Sequence, residues 1–306
     1  MDSMELANYL EKVRYGRKIS QEKFVDGVCS LRQYQRYRSG ECEIPIEKLE
    51  AFTKRLGIPS QKLLKDFEKQ KKEQDALMDQ FYNAVANKDL EAVNRLKKLI
   101  EQDIIIEEEN KLYYRYSLIR HELVSGSISR ELGAKKISDL VGFPKILKND
   151  YFTDIEVLML SSLLDIIEGD LQKRLLERLT DLFDSQDFIM SGGSDLIYST
   201  ILVRLSKIYG ILKDFNQVIH FCDLGIQHGL KYKRHYLFDN FYYYKALAYH
   251  ELEDYYNYEL SLFRCYNVLH MEENSVKTER FTKRIEKDFD INFNMFIVNY
   301  LNKEFN

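Results

Sequence analysis

The distribution of proline is the feature that most constrains this chain. Its three prolines are Pro45, Pro59 and Pro144, so residues 145–306 contain none. A proline-free stretch of this length, rich in Leu, Ile, Lys and Glu, indicates stacked helices, because proline interrupts helices more strongly than any other residue. With 13 glycines in 306 residues, the chain also lacks the turn residues that a β-sandwich or barrel needs. We therefore predict an all-α fold.

Composition narrows the class of protein further. Hydrophobic residues make up 45% and charged residues 31% of the chain, which is typical of a globular protein and not of a disordered one. No apolar run reaches the roughly 18 residues of a membrane span, and Asp2 and Glu5 stand where a signal peptide would be basic. The four cysteines, which are scattered along the chain, indicate reduced thiols. They are Cys29, Cys42, Cys222 and Cys265. We expect a cytoplasmic protein without a membrane contact.

Charge is unevenly distributed along the chain. Residues 12–38 contain eight Lys and Arg residues but only two acidic ones, Glu22 and Asp26, although the whole chain carries a net charge of −4. The remainder is therefore acidic. A basic surface confined to one end of an acidic protein predicts contact with a polyanion at that end.

The first sixty residues are marked by dense helix-boundary signals. Ser20 and Ser30 are suited to cap the second and third helices, and Gly27 permits the left-handed turn between them. A fourth helix is expected between Pro45 and Gly57. Two short helices joined by a tight glycine-containing turn form a helix-turn-helix, whose second helix can enter the major groove of DNA.

The third helix of this array has side chains suited to reading bases. Arginine can pair with guanine and glutamine with adenine through two hydrogen bonds each, and the first turn of such a helix approaches the bases. Gln21, which opens the preceding helix, and Arg38 are better placed for phosphates. A basic amphipathic helix can also be no more than a solvated surface. The candidate DNA-binding residues are Gln21, Ser30, Leu31, Arg32, Gln33, Arg36 and Arg38.

Residues 5–65 resemble the repressor-type (XRE-like) helix-turn-helix. The matching positions are Ser20-Gln21-Glu22, Gly27, Ser30, Arg36, Gly40, Pro45 and the helix from Leu49 to Gly57. One position departs from the pattern: Arg38 stands where relatives usually carry a glutamate that supports the recognition helix internally. Arg38 could therefore add a DNA contact instead.

A turn signature recurs beyond a helical linker over residues 67–80. The turns are Asn87-Lys88-Asp89-Leu90, Ser125-Gly126-Ser127-Ile128, Glu168-Gly169-Asp170-Leu171, Leu212-Lys213-Asp214-Phe215 and Leu252-Glu253-Asp254-Tyr255. Their closing apolar residues lie 38 to 44 residues apart, which is typical of stacked helical hairpins. Ser206 and Ala246, nine residues before Phe215 and Tyr255, are small enough to let helices approach closely. Generic hairpins could also produce this spacing.

Residues 75–290 resemble degenerate tetratricopeptide repeats, most clearly in the last two units, with residues 291–301 as a capping helix. The resemblance implies a concave groove lined by the first helix of each hairpin, in which an extended peptide can bind. An Asn side chain can pair with a peptide backbone, and Lys or Arg can pair with a carboxylate, although Tyr243 also fits ordinary helix packing. The candidate peptide-binding residues are Tyr116, Arg120, Thr200, Lys207, Asn240, Tyr243 and His250.

Motifs for catalysis are missing from the sequence. It contains no glycine-rich phosphate loop, no GxSxG and no HExxH. His220 and Cys222 lie close together, but no CxxC or second histidine completes a tetrahedral zinc site. We expect no enzyme, no cofactor and no metal.

The two resemblances together are those of the peptide-pheromone receptors of Gram-positive bacteria, the Rap, Rgg, NprR, PlcR and PrgX group. This implies a DNA-binding domain over residues 1–66, the linker over 67–80, and a peptide-binding and dimerisation domain over 81–306. It also implies a cytoplasmic homodimer that binds an inverted repeat in double-stranded DNA near a promoter and is controlled by a short signalling peptide. The alternative is a repeat module that regulates a signalling protein and not DNA, as in Rap members, which lack a helix-turn-helix.

Overall fold

The computed structural model describes residues 3–185 and 195–304, which are mostly helical and contain no strand. The chain divides into two compact units, residues 1–140 (the first unit) and 141–306 (the second unit). A 3-10 helix, Lys145–Lys148, lies between α8 and α9. The α-helices of the described residues are α1 Ser3–Gly16, α2 Gln21–Val25, α3 Leu31–Arg38, α4 Ile46–Leu56, α5 Ser60–Ala86, α6 Leu90–Glu101, α7 Glu108–Val124, α8 Arg130–Val141, α9 Asp154–Leu163, α10 Asp170–Ser185, α11 Asp195–Ile211, α12 Phe215–Tyr232, α13 Phe238–Glu251, α14 Tyr255–Met271, α15 Ser275–Phe289 and α16 Phe293–Glu304. The prediction of an all-α fold is confirmed.

Local chemistry accounts for the N-terminal bundle, which we define as α1 to α4. The side chains of Ser20 and Ser30 accept hydrogen bonds from the backbone N–H of the third residues of α2 and α3, Lys23 and Gln33, as N-caps do. Gly27 (φ +65°) and Gly57 (φ +63°) take the left-handed conformation, which glycine adopts without steric cost. The boundaries expected from these residues are confirmed.

An aromatic cluster forms the centre of the N-terminal bundle. Phe24 stacks on Phe52 with ring centroids 4.8 Å apart, and Tyr34 packs 5.6 Å from each of them. All three rings are fully buried. Tyr34 and Tyr37 thus turn one face of α3 into the core, which leaves the opposite face of α3 for solvent.

The N-terminal bundle is continuous with the rest of the first unit. Leu63 and Phe67 of α5 and Ile106 of the loop between α6 and α7 all belong to its buried core, and Ile106 has no exposed surface. Gln74 of α5 holds this loop, because its side-chain amide donates to the Ile104 carbonyl (2.8 Å) and accepts from the Ile106 backbone N–H (2.9 Å). The loop therefore completes the core that α1 to α4 begin.

Ion pairs reinforce the same junction. The Lys71 ammonium on α5 lies 2.9 Å from the Glu5 carboxylate of α1 and 2.7 Å from the Glu107 carboxylate of the loop. Although burial opposes its charge, the hydrogen bonds that Lys71 donates to these two carboxylates raise the pKa of Lys71 above its usual value. One cation thus joins α1, α5 and the α6–α7 loop.

The recurring turns have the geometry that their sequences predict. In each turn the second residue has a positive φ: Lys88 (+60°), Gly126 (+74°), Gly169 (+78°), Lys213 (+60°) and Glu253 (+58°). In three of them the aspartate that follows caps the next helix through its side chain; these are Asp89, Asp214 and Asp254. Their helices α6, α12 and α14 begin at the predicted apolar residue, whereas α8 begins two residues later and α10 one residue earlier than predicted.

The second unit is built of helical hairpins whose first helices lie side by side. Helices α9, α11 and α13 form this row, since α11 packs on both of the others, and α12 and α14 pack on the row as the second helices. Ser206 and Ala246 are fully buried within it, as expected for small residues at close helix contacts. At the C-terminus, Phe293 and Ile297 of α16 cover the core of the last hairpin, in agreement with the predicted capping helix.

Close approach of α12 and α13 depends on two glycines. A Cβ atom at Gly225 would lie 2.2 Å from the Phe241 ring, and one at Gly229 would lie 2.4 Å from both the Phe238 ring and the Arg234 carbonyl. No real Cβ atom tolerates such distances. The buried rings of Phe238 and Phe241 therefore occupy space that these glycines leave.

Candidate nucleic-acid interface and repeat surface

Five of the predicted DNA-binding residues are brought together on one face of α3. They line an open surface depression together with Gln35, Ser39 and Glu41, and we call these eight residues the α3 face; the five are Ser30, Arg32, Gln33, Arg36 and Arg38. The depression is polar and open to solvent because Tyr34 and Tyr37 of the same helix point into the core. Gln21 and Leu31 lie beside it, at the first turns of α2 and α3.

The first turn of α3 carries two side chains, those of Leu31 and Arg32, that form no hydrogen bond or ion pair with the described residues. Arg32 is exposed and forms no hydrogen bond or ion pair with the described residues. Leu31 is 37% exposed. Ser30, by contrast, uses its hydroxyl oxygen to cap the helix.

Neighbouring polar groups hold Gln33 in the first turn of α3 and Arg36 in its second turn. The Gln33 amide donates to the Cys42 sulfur at 3.0 Å, and the Arg36 guanidinium donates to the Glu41 carboxylate at 3.2 Å. Glu41 also accepts from the Ser39 hydroxyl at 3.0 Å. This pairing sets the direction of the Arg36 side chain while leaving it half exposed. Sequence reasoning missed Glu41 because an acidic residue in a basic segment does not by itself indicate a DNA contact.

A buried carboxylate organises the space behind α3. Glu11 of α1 accepts two hydrogen bonds from Arg14 (2.7 and 2.8 Å), one from Gln21 (2.7 Å) and one from the Tyr34 hydroxyl (3.0 Å). Burial alone would raise its pKa, but hydrogen bonds from Arg14, Gln21 and Tyr34 outweigh this and lower the pKa of Glu11 to about 2. Glu11 is therefore a permanent anion that ties α1, α2 and α3 together.

Arg38 faces this anion. Its guanidinium lies 3.7 Å from the Glu11 carboxylate, and its Nε is buried without a hydrogen-bond partner among the described residues. The carboxylate beside Arg38 is thus supplied by α1. A contact between Arg38 and DNA stays a prediction, since the side chain is 29% exposed.

Gln21 is likewise shared between two partners. It donates to Glu11 at 2.7 Å and accepts from Gln35 of α3 at 3.2 Å. These contacts hold the first turn of α2 against α3. The contact between Gln21 and a DNA phosphate stays a prediction.

The candidate peptide-binding residues are divided between the two units. Tyr116 and Arg120 lie on α7 of the first unit. Tyr116 is completely buried and stacks on Tyr82, with ring centroids 6.1 Å apart, whereas Arg120 is partly exposed. The Tyr116 ring therefore packs in the core of the first unit.

The other five lie on α11 and α13, in the row of first helices of the second unit. The Lys207 ammonium pairs with Asp165 at 2.7 Å, and the Asn240 amide donates to Asp239 at 3.1 Å. Thr200 donates to the Leu196 carbonyl at 2.7 Å. No hydrogen bond or ring contact joins any two of the five, which are Thr200, Lys207, Asn240, Tyr243 and His250.

Tyr243 and His250 are engaged with the C-terminal helices. Tyr243 is buried, its hydroxyl donates to Asp288, and burial raises its pKa above the usual value. The exposed His250 ring packs 5.2 Å from Tyr258 and 5.4 Å from Phe289. Their roles in binding a peptide remain predictions.

Titratable groups in the second unit are used for packing. Burial raises the pKa of the Cys222 thiol to about 12, and the thiol donates to the Ser206 hydroxyl at 3.4 Å. Within residues 3–185 and 195–304, no three His, Cys, Asp or Glu side chains are grouped so that they could hold a metal ion. Across the same residues, no helix combines the length and apolar character needed to cross a membrane.

Comparison with known proteins identifies the fold through structure and not through sequence. No protein-family model matches the chain, and no curated protein matches its sequence. ComR from Streptococcus vestibularis in complex with its signalling peptide XIP is similar over 94% of this chain and 99% of its own, with 18% identity and a TM-score of 0.56.

Two further structures contain DNA. ComR from S. thermophilus with DNA and its signalling peptide ComS covers 92% of this chain and 99% of its own, at 17% identity and a TM-score of 0.55. PlcR from Bacillus thuringiensis with the peptide PapR7 and DNA covers the same shares at 15% identity and a TM-score of 0.51. The chain thus has the fold of these proteins, a repressor-type helix-turn-helix followed by tetratricopeptide-like helical hairpins.

Proposed function

We propose that this protein is a cytoplasmic transcriptional regulator that binds promoter DNA through α3 and is controlled by a short signalling peptide. The observation that carries the proposal is the α3 face. Tyr34 and Tyr37 fix the opposite side of α3 in the core, so the α3 face presents its arginine and glutamine side chains to solvent. The helix is short enough to enter a major groove. ComR and PlcR, which have this fold, were solved with DNA and with peptides.

DNA binding can be tested with two matched arginine variants. Arg32→Ala removes an unengaged guanidinium from the α3 face, and Arg95→Ala removes an exposed one from α6. With a duplex from the upstream region of the gene, we expect Arg32→Ala to weaken binding by about 10- to 100-fold, as for a base contact. Arg95→Ala should bind like the unmodified protein.

Salt dependence supplies a second criterion. When a protein neutralises DNA phosphates, the logarithm of its binding constant falls linearly with the logarithm of the salt concentration. The slope is set by the number of phosphates that are neutralised. A dimeric, folded protein that binds no duplex at low salt would contradict the proposal. If such a protein instead bound a signalling protein stoichiometrically, the repeat module without a DNA role would be favoured.

Peptide binding is proposed for the row of α9, α11 and α13. Lys207 is exposed and forms a surface ion pair with Asp165, and such pairs contribute little free energy. A peptide carboxylate can therefore compete for Lys207 at small cost. The peptide must bind one arrangement of the protein better than another, or it shifts no equilibrium.

A candidate peptide would come from a small open reading frame with a secretion signal beside the gene. Titration of that synthetic peptide should change the affinity for DNA, and Lys207→Ala should weaken the peptide's effect. The control is Lys283→Ala, which removes another exposed lysine from a surface ion pair, with Glu279. Equal responses of the two variants would exclude Lys207 from the peptide site.

We also propose that the protein acts as a homodimer on an inverted repeat. Two copies of α3 related by twofold symmetry would meet half-sites one helical turn of DNA apart, or a multiple of it. Sedimentation equilibrium tests the dimer, and footprinting tests the spacing. A monomer that protects a single half-site would refute this part of the proposal.

A further inference from the structure

Leu31 is an apolar side chain placed among polar ones at the start of α3. It is 37% exposed, while its neighbours Ser30 and Arg32 are also exposed. Isolated apolar residues on a protein surface are common and need no explanation by themselves. The position of Leu31 is what distinguishes it, because the first turn of a recognition helix is the part that approaches base edges.

Three other side chains of α3 are already hydrogen-bonded within the protein, which limits the side chains that are free to contact DNA bases. The Gln33 amide is held by Cys42, the Gln35 amide by Gln21, and the Arg36 guanidinium by Glu41. Leu31 and Arg32 are thus the two side chains of the first turn without such a partner among the described residues. One is purely apolar, and the other can only donate hydrogen bonds.

The major groove offers one apolar feature at its base edges, the C5 methyl group of thymine, and arginine pairs best with the O6 and N7 acceptors of guanine. We infer that Leu31 is a specificity-determining residue that packs against a thymine methyl group in each half-site, beside a guanine contacted by Arg32. This inference rests on the proposed function and narrows it to a class of DNA sequence.

Deoxyuridine supplies the test, because it differs from thymidine only by the missing methyl group. A duplex is first selected from a randomised library with the full-length protein. Each thymine in one half-site is then replaced singly by deoxyuridine, and the affinity is measured by fluorescence anisotropy. One position should weaken binding by about fourfold, the effect of one buried methyl group, and the other positions should have no effect.

Two protein variants assign the methyl contact to a side chain. Leu31→Ala should bind the thymine and deoxyuridine duplexes equally at that position. Ile46→Ala, which truncates a 61% exposed apolar residue at the start of α4, should retain the fourfold preference. Because both residues are exposed, the variants are expected to fold, and urea unfolding verifies this for each.

The outcomes separate this inference from the function on which it rests. If a specific duplex is bound but no deoxyuridine weakens binding, or if the preference persists in Leu31→Ala, the reading of thymine by Leu31 is refuted and DNA binding stands. If no specific duplex is selected, both fall together. A fourfold preference that disappears only in Leu31→Ala supports the inference.

Discussion

Substitution of Gly225 by alanine tests the close packing of α12 on α13. The added Cβ would lie 2.2, 2.5 and 2.6 Å from three ring atoms of Phe241, and that ring has no exposed surface. Either the ring or one of the helices must move. Gly210→Ala in α11 is the matched control, because its nearest neighbour, a methyl group of Val218, would be at an ordinary 3.8 Å.

The magnitude follows from two opposing effects. Replacing a glycine in a helix interior by alanine favours the helix by about 1 kcal/mol; this applies in full to Gly225, whereas Gly210 is the last residue but one of α11 and gains at most this much. Overpacking a well-packed core costs about 1–3 kcal/mol, and only Gly225→Ala incurs it. Three overlaps with an enclosed aromatic ring place the cost at the upper end of that range. We expect Gly210→Ala to be stabilised by up to about 1 kcal/mol, and Gly225→Ala to be less stable than Gly210→Ala by about 2–3 kcal/mol.

Urea unfolding followed by circular dichroism at 222 nm measures the difference for the full-length protein. A chain with two compact units need not unfold in a single step, so hydrogen exchange in peptides from α12 and α13 reports the local stability directly. The loss of protection in Gly225→Ala should be concentrated in these two helices. If Gly225→Ala is as stable as Gly210→Ala, the contact between Gly225 and Phe241 does not limit the packing.

Three further predictions concern turns, charge and thiols. Lys213→Gly and Glu253→Gly should each raise the free energy of unfolding by about 1 kcal/mol, because both residues have left-handed backbones that only glycine adopts freely; unchanged urea midpoints would contradict this. The pKa of Glu11 is lowered to about 2 by hydrogen bonds that outweigh burial, so its stabilisation is complete above its unfolded pKa and is lost as the pH falls towards 2. Glu11→Gln should therefore flatten the decline in stability between about pH 5 and pH 2, and an unaltered pH profile would refute it. Burial raises the pKa of Cys222 and Cys265, so neither thiol should react with a thiol reagent at pH 8 until the protein unfolds; rapid labelling of either, read by mass spectrometry, would show that it is accessible.

Features set by a few neighbouring residues could be predicted from the sequence. The capping serines, the glycines at positive φ and the recurring turns act over one helical turn, and the structure confirms them. The sequence misplaces the beginnings of α8 and α10 by one or two residues. The turn before α8 has no aspartate to cap the helix, and the aspartate of the turn before α10, Asp170, is itself the first helical residue.

Contacts between distant parts of the chain could not be predicted in the same way. The α3 face was found because its residues are consecutive, whereas its support by Glu11 depends on how α1 packs against α3. Tyr243 donates to Asp288, 45 residues away, and Lys207 pairs with Asp165, 42 residues away. A pattern along one helix shows which residues share a face but not which partner that face meets.

The burial of Ile106 has a practical consequence for chimeric regulators. Joining the first 66 residues, or even α1 to α5, to another repeat array would omit the loop between α6 and α7, whose Ile106 side chain belongs to the buried core of the N-terminal bundle. The graft of α1 to α5 would leave the place of Ile106 in this core unfilled, and Lys71 would lose Glu107 and keep only Glu5 as its partner. Exchange of binding specificity between proteins of this fold should therefore transfer α5, α6 and α7 as well, with the junction placed beyond α7.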